Sequence, residues 1–253
     1  MKNYILAIVF IFWGLNVFAQ NENLFEKKEF KTKNSVTLPY RIMYPENYNP
    51  AKKYPLLVFL HGAGERGNDN EQQLRHGVDF LMQCRKQYPA IVVVPQCPAN
   101  DYWANVQRPA NGVFTFGAEK KPTKAMESLM ALVKEITSLK SVDKKHVYIG
   151  GISMGGMGTF EILYRMPKTF AAAFPICGGG DPLQAKKYAK NTSLWIFHGA
   201  KDDVVPVHFS QVMYKALQDA GASVFYTEYP EDKHNSWDSV FKEEQLMRWL
   251  FSR

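Results

Sequence analysis

The sequence predicts a three-layer α/β fold, with a mostly parallel, twisted sheet covered by helices on both faces. Two observations carry this. Apolar runs at 55–60, 90–94, 146–149, 170–176 and 194–197 lack polar alternation, as strands buried on both faces do. Segments of helical spacing lie between them, so strands and helices alternate from residue 55 onward, the pattern of a parallel sheet wound by right-handed crossovers. The 253-residue chain is 46% hydrophobic, which supports one large core, and no internal repeat, low-complexity tract or linker divides it.

The first segment stands outside this fold. Lys2 precedes an almost wholly apolar stretch at 4–17, and Val17-Phe18-Ala19 meets the small-residue rule for cleavage before Gln20. Residues 1–19 read as a signal peptide and 20–253 as a single domain, secreted or periplasmic. The apolar stretch is short for a bilayer span and no stop-transfer charges follow it, so no stable membrane association is expected after cleavage.

The elements then follow in order. Residues 26–32 alternate weakly, and 36–44 form a second strand-like stretch whose Pro39 suits a sheet edge. A turn cluster at 45–50 leads into the buried strand 55–60, which ends in His61-Gly62-Ala63-Gly64-Glu65-Arg66-Gly67. Residues 72–88 are helix-like, 90–94 form a strand, and 99–121 read as a loop carrying Trp103, Phe114 and Phe116. From Pro122 to Leu139, Met126, Leu129, Met130, Val133 and Ile136 share one helical face. Strand 146–149 runs into a glycine-rich turn, and a short helix over 158–166 is stopped by Pro167. Strands at 170–176, 194–197 and 223–229 and helices at 207–220 and 241–251 complete the pattern.

In such sheets ligands bind at the carboxyl ends of the strands. The chemically rich residues lie in the loops that begin there. Gly151-Ile152-Ser153-Met154-Gly155 follows a strand and precedes a helix, the form of a nucleophile elbow that lifts a serine hydroxyl to the end of the sheet. Gly-x-Ser-x-Gly alone arises by chance in roughly one chain in ten to twenty of this length. The elbow therefore demands an acid after a later strand and a histidine after that. Asp202 and Asp203 follow strand 194–197, and His234 follows the final strand. The spacing His198-Gly199-x-x-Asp202-x-x-Val205-Pro206 favours Asp202 as the acid, with Asp203 left to cap the next helix. His198 and His61 are expected to brace their turns. An oxyanion hole is expected from the backbone N–H groups of Met154 and Ala63, with Gly64 as the alternative to Ala63. Trp103 and Trp237, with Phe114 and Phe116, are candidates for a cleft wall that contacts substrate. Glu65, Arg66 and Asp181 are read as local ion pairs or loop caps.

Other classes are disfavoured. The net charge of +7 is spread over separate Lys-Lys pairs, with no basic block of the kind that binds nucleic acid. The three cysteines, Cys84, Cys97 and Cys177, show no metal-ligand spacing and are expected to be buried thiols; if a disulfide forms, its pairing stays open. Neither a metal nor a cofactor is needed for the chemistry above.

The His61–Gly67 run, the elbow, the stretch 198–206 and His234 together resemble the α/β-hydrolase superfamily. They are most similar to exported bacterial esterases of the phospholipase/carboxylesterase-like, or predicted peptidase, group. Leu38-Pro39-Tyr40-Arg41, Pro95-Gln96-Cys97-Pro98 and Cys177-Gly178-Gly179-Gly180-Asp181 are also similar to that group. The resemblance implies one α/β-hydrolase catalytic domain over 20–253, acting on a small-molecule or polysaccharide ester, acetyl or feruloyl esters of carbohydrate among them. A serine peptidase of the same fold and an inactive, carbohydrate- or partner-binding hydrolase fold are the alternatives. Sequence sets no expectation for oligomeric state.

Overall fold

The computed structural model describes residues 24–32, 37–107, 114–117 and 120–253. The expected signal peptide, residues 1–19, lies outside the described residues.

Among the described residues there are ten strands: β1 (Glu26–Lys31), β2 (Thr37–Met43), β3 (Tyr54–Leu60), β4 (Ile91–Pro95), β5 (Val106–Gln107), β6 (Thr115–Phe116), β7 (Val142–Ile152), β8 (Ala172–Ile176), β9 (Ser193–Gly199) and β10 (Val224–Tyr229). Eight form one sheet in the order β1-β2-β4-β3-β7-β8-β9-β10; β5 and β6 make a separate two-stranded ribbon. The pairs from β4 to β10 are parallel, and β1 and β2 add antiparallel at one side.

Alternation within each strand feeds two cores, one on each face. Leu56, Val58 and Leu60 of β3 point to one core with Ile91, Val93, Val147 and Ile149. Leu57 and Phe59 point to the other with Val92, Val94 and Tyr148. Because side chains alternate every second residue, a sheet apolar on both faces must be covered on both. Helices α2 (Lys124–Ser138), α3 (Met154–Arg165) and α4 (His208–Asp219) cover the first face, and α1 (Val78–Lys86), α5 (Trp237–Val240) and α6 (Glu244–Leu250) the second. The three-layer α/β architecture expected from sequence is the one observed. Among the described residues no helix is long and apolar enough to cross a membrane.

Several local expectations need correction. β2 is internal rather than an edge, since it pairs with β1 on one side and β4 on the other. Pro39 is tolerated because it lies at the end of the β4 pairing: its carbonyl accepts from Gln96 N at 2.8 Å just beyond β4, and its missing N–H faces the same side. The helix expected over 72–88 is split. A short 3-10 turn (Gln72–Leu74) comes first, and α1 starts only after Gly77, whose φ of +85° places it in the left-handed region. The loop 99–121 contains the β5–β6 ribbon, and the closing helix expected over 241–251 is the shorter α6, with α5 a separate helix before it. Most consequential, the helix after the elbow starts at Met154, not near residue 158. Glycine is a poor helix former, so its run masked this start. Here packing overrides propensity: a Cβ on Gly155 would lie 2.1 Å from the Leu60 carbonyl oxygen. Only a glycine lets the first turn of α3 sit directly against β3.

Candidate active site

The parallel register gathers the strand ends. Leu60 of β3 is level with Gly151 of β7, Ile152 with Ile176 of β8, Ile176 with Phe197 of β9, and Gly199 with Tyr229 of β10. The loops leaving these strands therefore converge at one edge, and they carry Ala63, Ser153, Asp202 and His234.

Ser153 sits between β7 and α3 with φ +53° and ψ −116°. A non-glycine residue held there stores roughly 1–3 kcal/mol, offset by the surrounding structure. Ser153 N donates to Ile176 O at 2.9 Å, which fixes the turn against β8. The hydroxyl thereby reaches His234, with Oγ 2.9 Å from Nε2. His234 Nδ1 lies 2.8 Å from Asp202 Oδ2. Since a carboxylate only accepts, Nδ1 carries the proton and Nε2 presents a lone pair to the serine hydroxyl. The loop holding His234 is tied to the end of β9, with Lys201 N donating to Asp232 O at 2.9 Å and Ala200 N to Tyr229 O at 2.8 Å.

The Asp202 side chain is fully enclosed. Its Oδ1 accepts from Val204 N and Val205 N, both at 2.9 Å, while Oδ2 receives His234 and also His198 Nε2 at 3.1 Å. Burial by itself would raise the Asp202 carboxyl, but the bonds from His198, His234, Val205 and Val204 outweigh it and hold it well below the usual carboxylate range. The capping expected of Asp203 is not seen. Asp202 takes the turn N–H groups, and Asp203 points to solvent 3.8 Å from Lys233. His198 does more than brace its own turn. Its Nε2 also faces Val205 O at 2.9 Å, so that nitrogen is a donor, and it steadies the same carboxylate oxygen that His234 uses.

Met154 is the first residue of α3, and Ala63 opens a 3-10 turn, Ala63–Glu65. First-turn N–H groups have no carbonyl to bond within their own helix, so both are available as donors. His61 holds the Ala63 loop. Its Nε2 accepts from Cys97 N at 2.9 Å, so Nδ1 is the protonated nitrogen and donates to Gly62 O at 2.6 Å. Burial pushes His61 down to about 4, so it stays neutral.

Trp103 does not wall the cleft. It is fully buried, packed edge-on against His61 at 5.5 Å and over Gly158 of α3. The loop bearing it is bolted down by Asp101 Oδ2, which accepts from Ala125 N at 2.7 Å, and by Glu161 Oε2, which accepts from Asn105 N at 2.6 Å. Phe114, Phe116 and Phe209 instead cluster beside Met157. Trp237 does lie at the site, its ring edge-on to His234 at 5.4 Å. Sequence reasoning missed His76, whose ring lies 5.3 Å from Trp237. It belongs to no motif, and only the fold brings it here.

Cys84, Cys97 and Cys177 are free and buried. Cys177 Sγ lies within 4.8 Å of ligand atoms of Asp202 and His234. Those atoms are already committed to hydrogen bonds, and burial pushes the Cys177 thiol far above its ordinary value. The trio is thus poorly suited to hold a metal, which binds the thiolate.

Residues 47–245 match the phospholipase/carboxylesterase family. The chain is 25% identical over 177 residues to a bifunctional acetylxylan esterase/xylanase of Neocallimastix patriciarum, over 70% of this chain but only 23% of that enzyme. It is 23% identical to lysophospholipase-like protein 1 of Mus musculus, covering 87% of this chain and 93% of the mouse protein. A crystal structure of a thermostable esterase superposes with a TM-score of 0.80 at 37% identity, over 91% of this chain and 63% of that one.

Proposed function

This chain belongs to the phospholipase/carboxylesterase family, and from that premise we propose that it is an exported serine carboxylesterase whose nucleophile is Ser153. The observation that carries the reading is the unbroken relay from Ser153 Oγ through His234 to Asp202, at 2.9 and 2.8 Å. His234 Nε2 takes the hydroxyl proton as Oγ attacks the ester carbonyl. Asp202 keeps His234 in the required tautomer and stabilises the imidazolium. The oxyanion rests on Met154 N–H and Ala63 N–H, each such donor being worth roughly 3–4 kcal/mol at the transition state. His234 then protonates the departing alcohol, and water, activated by the same imidazole, releases the acid and restores Ser153.

Carbohydrate esters are the proposed substrates, acetyl or feruloyl. Support comes from the similarity to an acetylxylan esterase/xylanase and from the aromatic Trp237 beside the base. Residues 1–19 are the proposed export signal. The test is a hydrolysis panel of acetylated xylan, methyl ferulate, p-nitrophenyl acetate and peptide amides. Ester turnover that Ser153→Ala abolishes is expected. Full p-nitrophenyl acetate activity in Ser153→Ala sinks the mechanism, and turnover confined to the amides replaces the esterase reading with the peptidase one.

A further inference from the structure

The relay leaves one buried titratable group at the same mouth without a task. The Glu65 side chain is only 8% exposed, yet among the described residues it makes no hydrogen bond. His76 Nε2 lies 3.7 Å from Oε1, too long for a hydrogen bond. The other oxygen, Oε2, lies 3.0 Å from the position a Cβ on Gly62 would take, and that position is 3.7 Å from Ser153 Cβ. No more than these two short legs separate the carboxylate from the nucleophile. His76 in turn packs on Trp237, and Trp237 on His234. Glu65, His76, Trp237 and His234 thus form one continuous wall.

Beyond the His76 contact the carboxylate receives no hydrogen-bond donor from the described residues, so its acceptor capacity is open to a group arriving from outside. It is not placed to speed the acyl step, because a negative charge this close opposes the oxyanion that Met154 and Ala63 stabilise. Its position instead suits the leaving alcohol. His234 must hand its proton to that alcohol, and the wall begins at His234. A carboxylate can accept two hydroxyl hydrogen bonds at once, and an indole beside it offers a flat apolar surface for the C–H face of a sugar ring.

We propose that Glu65, with His76 and Trp237, is the subsite that reads the alcohol half of the ester, accepting hydrogen bonds from neighbouring hydroxyls of a sugar. This rests on the ester-hydrolysis reading above. The experiment compares wild type with Glu65→Gln on monoacetylated methyl β-xylopyranoside, phenyl acetate and acetylcholine. It also measures inhibition of phenyl acetate turnover by methyl β-xylopyranoside. In the variant the ratio of kcat/KM for the sugar acetate to that for phenyl acetate is expected to fall at least tenfold, mainly through KM, with inhibition by the free sugar weakened in step. His76→Phe, which keeps the packing on Trp237, is the second variant and is expected to lower the same ratio. An unchanged ratio, an equal fall on both esters, or a loss confined to acetylcholine overturns the proposal. A wild type that hydrolyses none of the three removes the esterase reading itself, and this proposal with it.

Discussion

His61 makes the fold sensitive to acid in a way that can be calculated. The perturbation is a drop in pH. In the native loop Nε2 accepts from Cys97 N, so a second ring proton would face an N–H donor and place a charge in the core. Burial accordingly lowers this histidine from about 6.5 to about 4. A group whose folded value is depressed leaves the unfolded chain binding more protons as pH falls. Its contribution is therefore intact above pH 6.5 and is lost as pH drops toward 4. With about 1.4 kcal/mol per unit, the loss from this one group is about 2 kcal/mol at pH 5. For a domain of this size that is a fall in Tm of roughly 4–8 °C. The assay is urea denaturation at pH 7.5 and pH 5.0 for wild type and His61→Gln, whose amide oxygen can still accept from Cys97 N but does not titrate. Wild type should lose about 2 kcal/mol more than the variant between the two pH values. Parallel losses would refute the claim that the loop depends on a neutral His61.

Three further predictions concern the site and its frame. Asp202→Asn should lower kcat about ten-thousand-fold with little change in KM, because the amide can stabilise the wrong tautomer of His234; steady-state kinetics on an aryl ester checks this. Gly155→Ala should destabilise by about 3 kcal/mol or prevent folding, since its Cβ would sit 2.1 Å from Leu60 O; thermal melts and soluble yield report it. Trp103→Ala should cost about 3–5 kcal/mol of stability through the cavity it leaves, whereas Trp237→Ala should act chiefly on KM; measuring both variants by melts and kinetics separates a core role from a substrate-facing one.

The layered sheet was legible because its strands are apolar on both faces and few other segments can be. Ser153, Asp202 and His234 were legible because their order and strand-end positions follow from how a parallel sheet presents loops, and the structure puts His234 within hydrogen-bonding distance of both Ser153 and Asp202. What escaped was whatever depends on three-dimensional closeness. The helix start at Met154 was hidden by glycines whose purpose is contact with β3. Trp103 looked like a cleft residue from its loop, but Asp101 and Glu161 pin that loop into the core. His198 lies four residues before Asp202, a spacing that hinted at its bond to the carboxylate. His76 and Glu65 meet only because the turn before α1 brings His76 back to the His61–Gly67 loop, and no local pattern announces it.

The central claim is that Ser153 is the nucleophile, activated by His234. Its most direct test is labelling of the intact protein with a fluorophosphonate, followed by mass spectrometry of the modified peptide. A single adduct on Ser153 is predicted, formed far more slowly in His234→Ala and absent in Ser153→Ala. An adduct on another residue, or none on an enzyme that still hydrolyses esters, would contradict it.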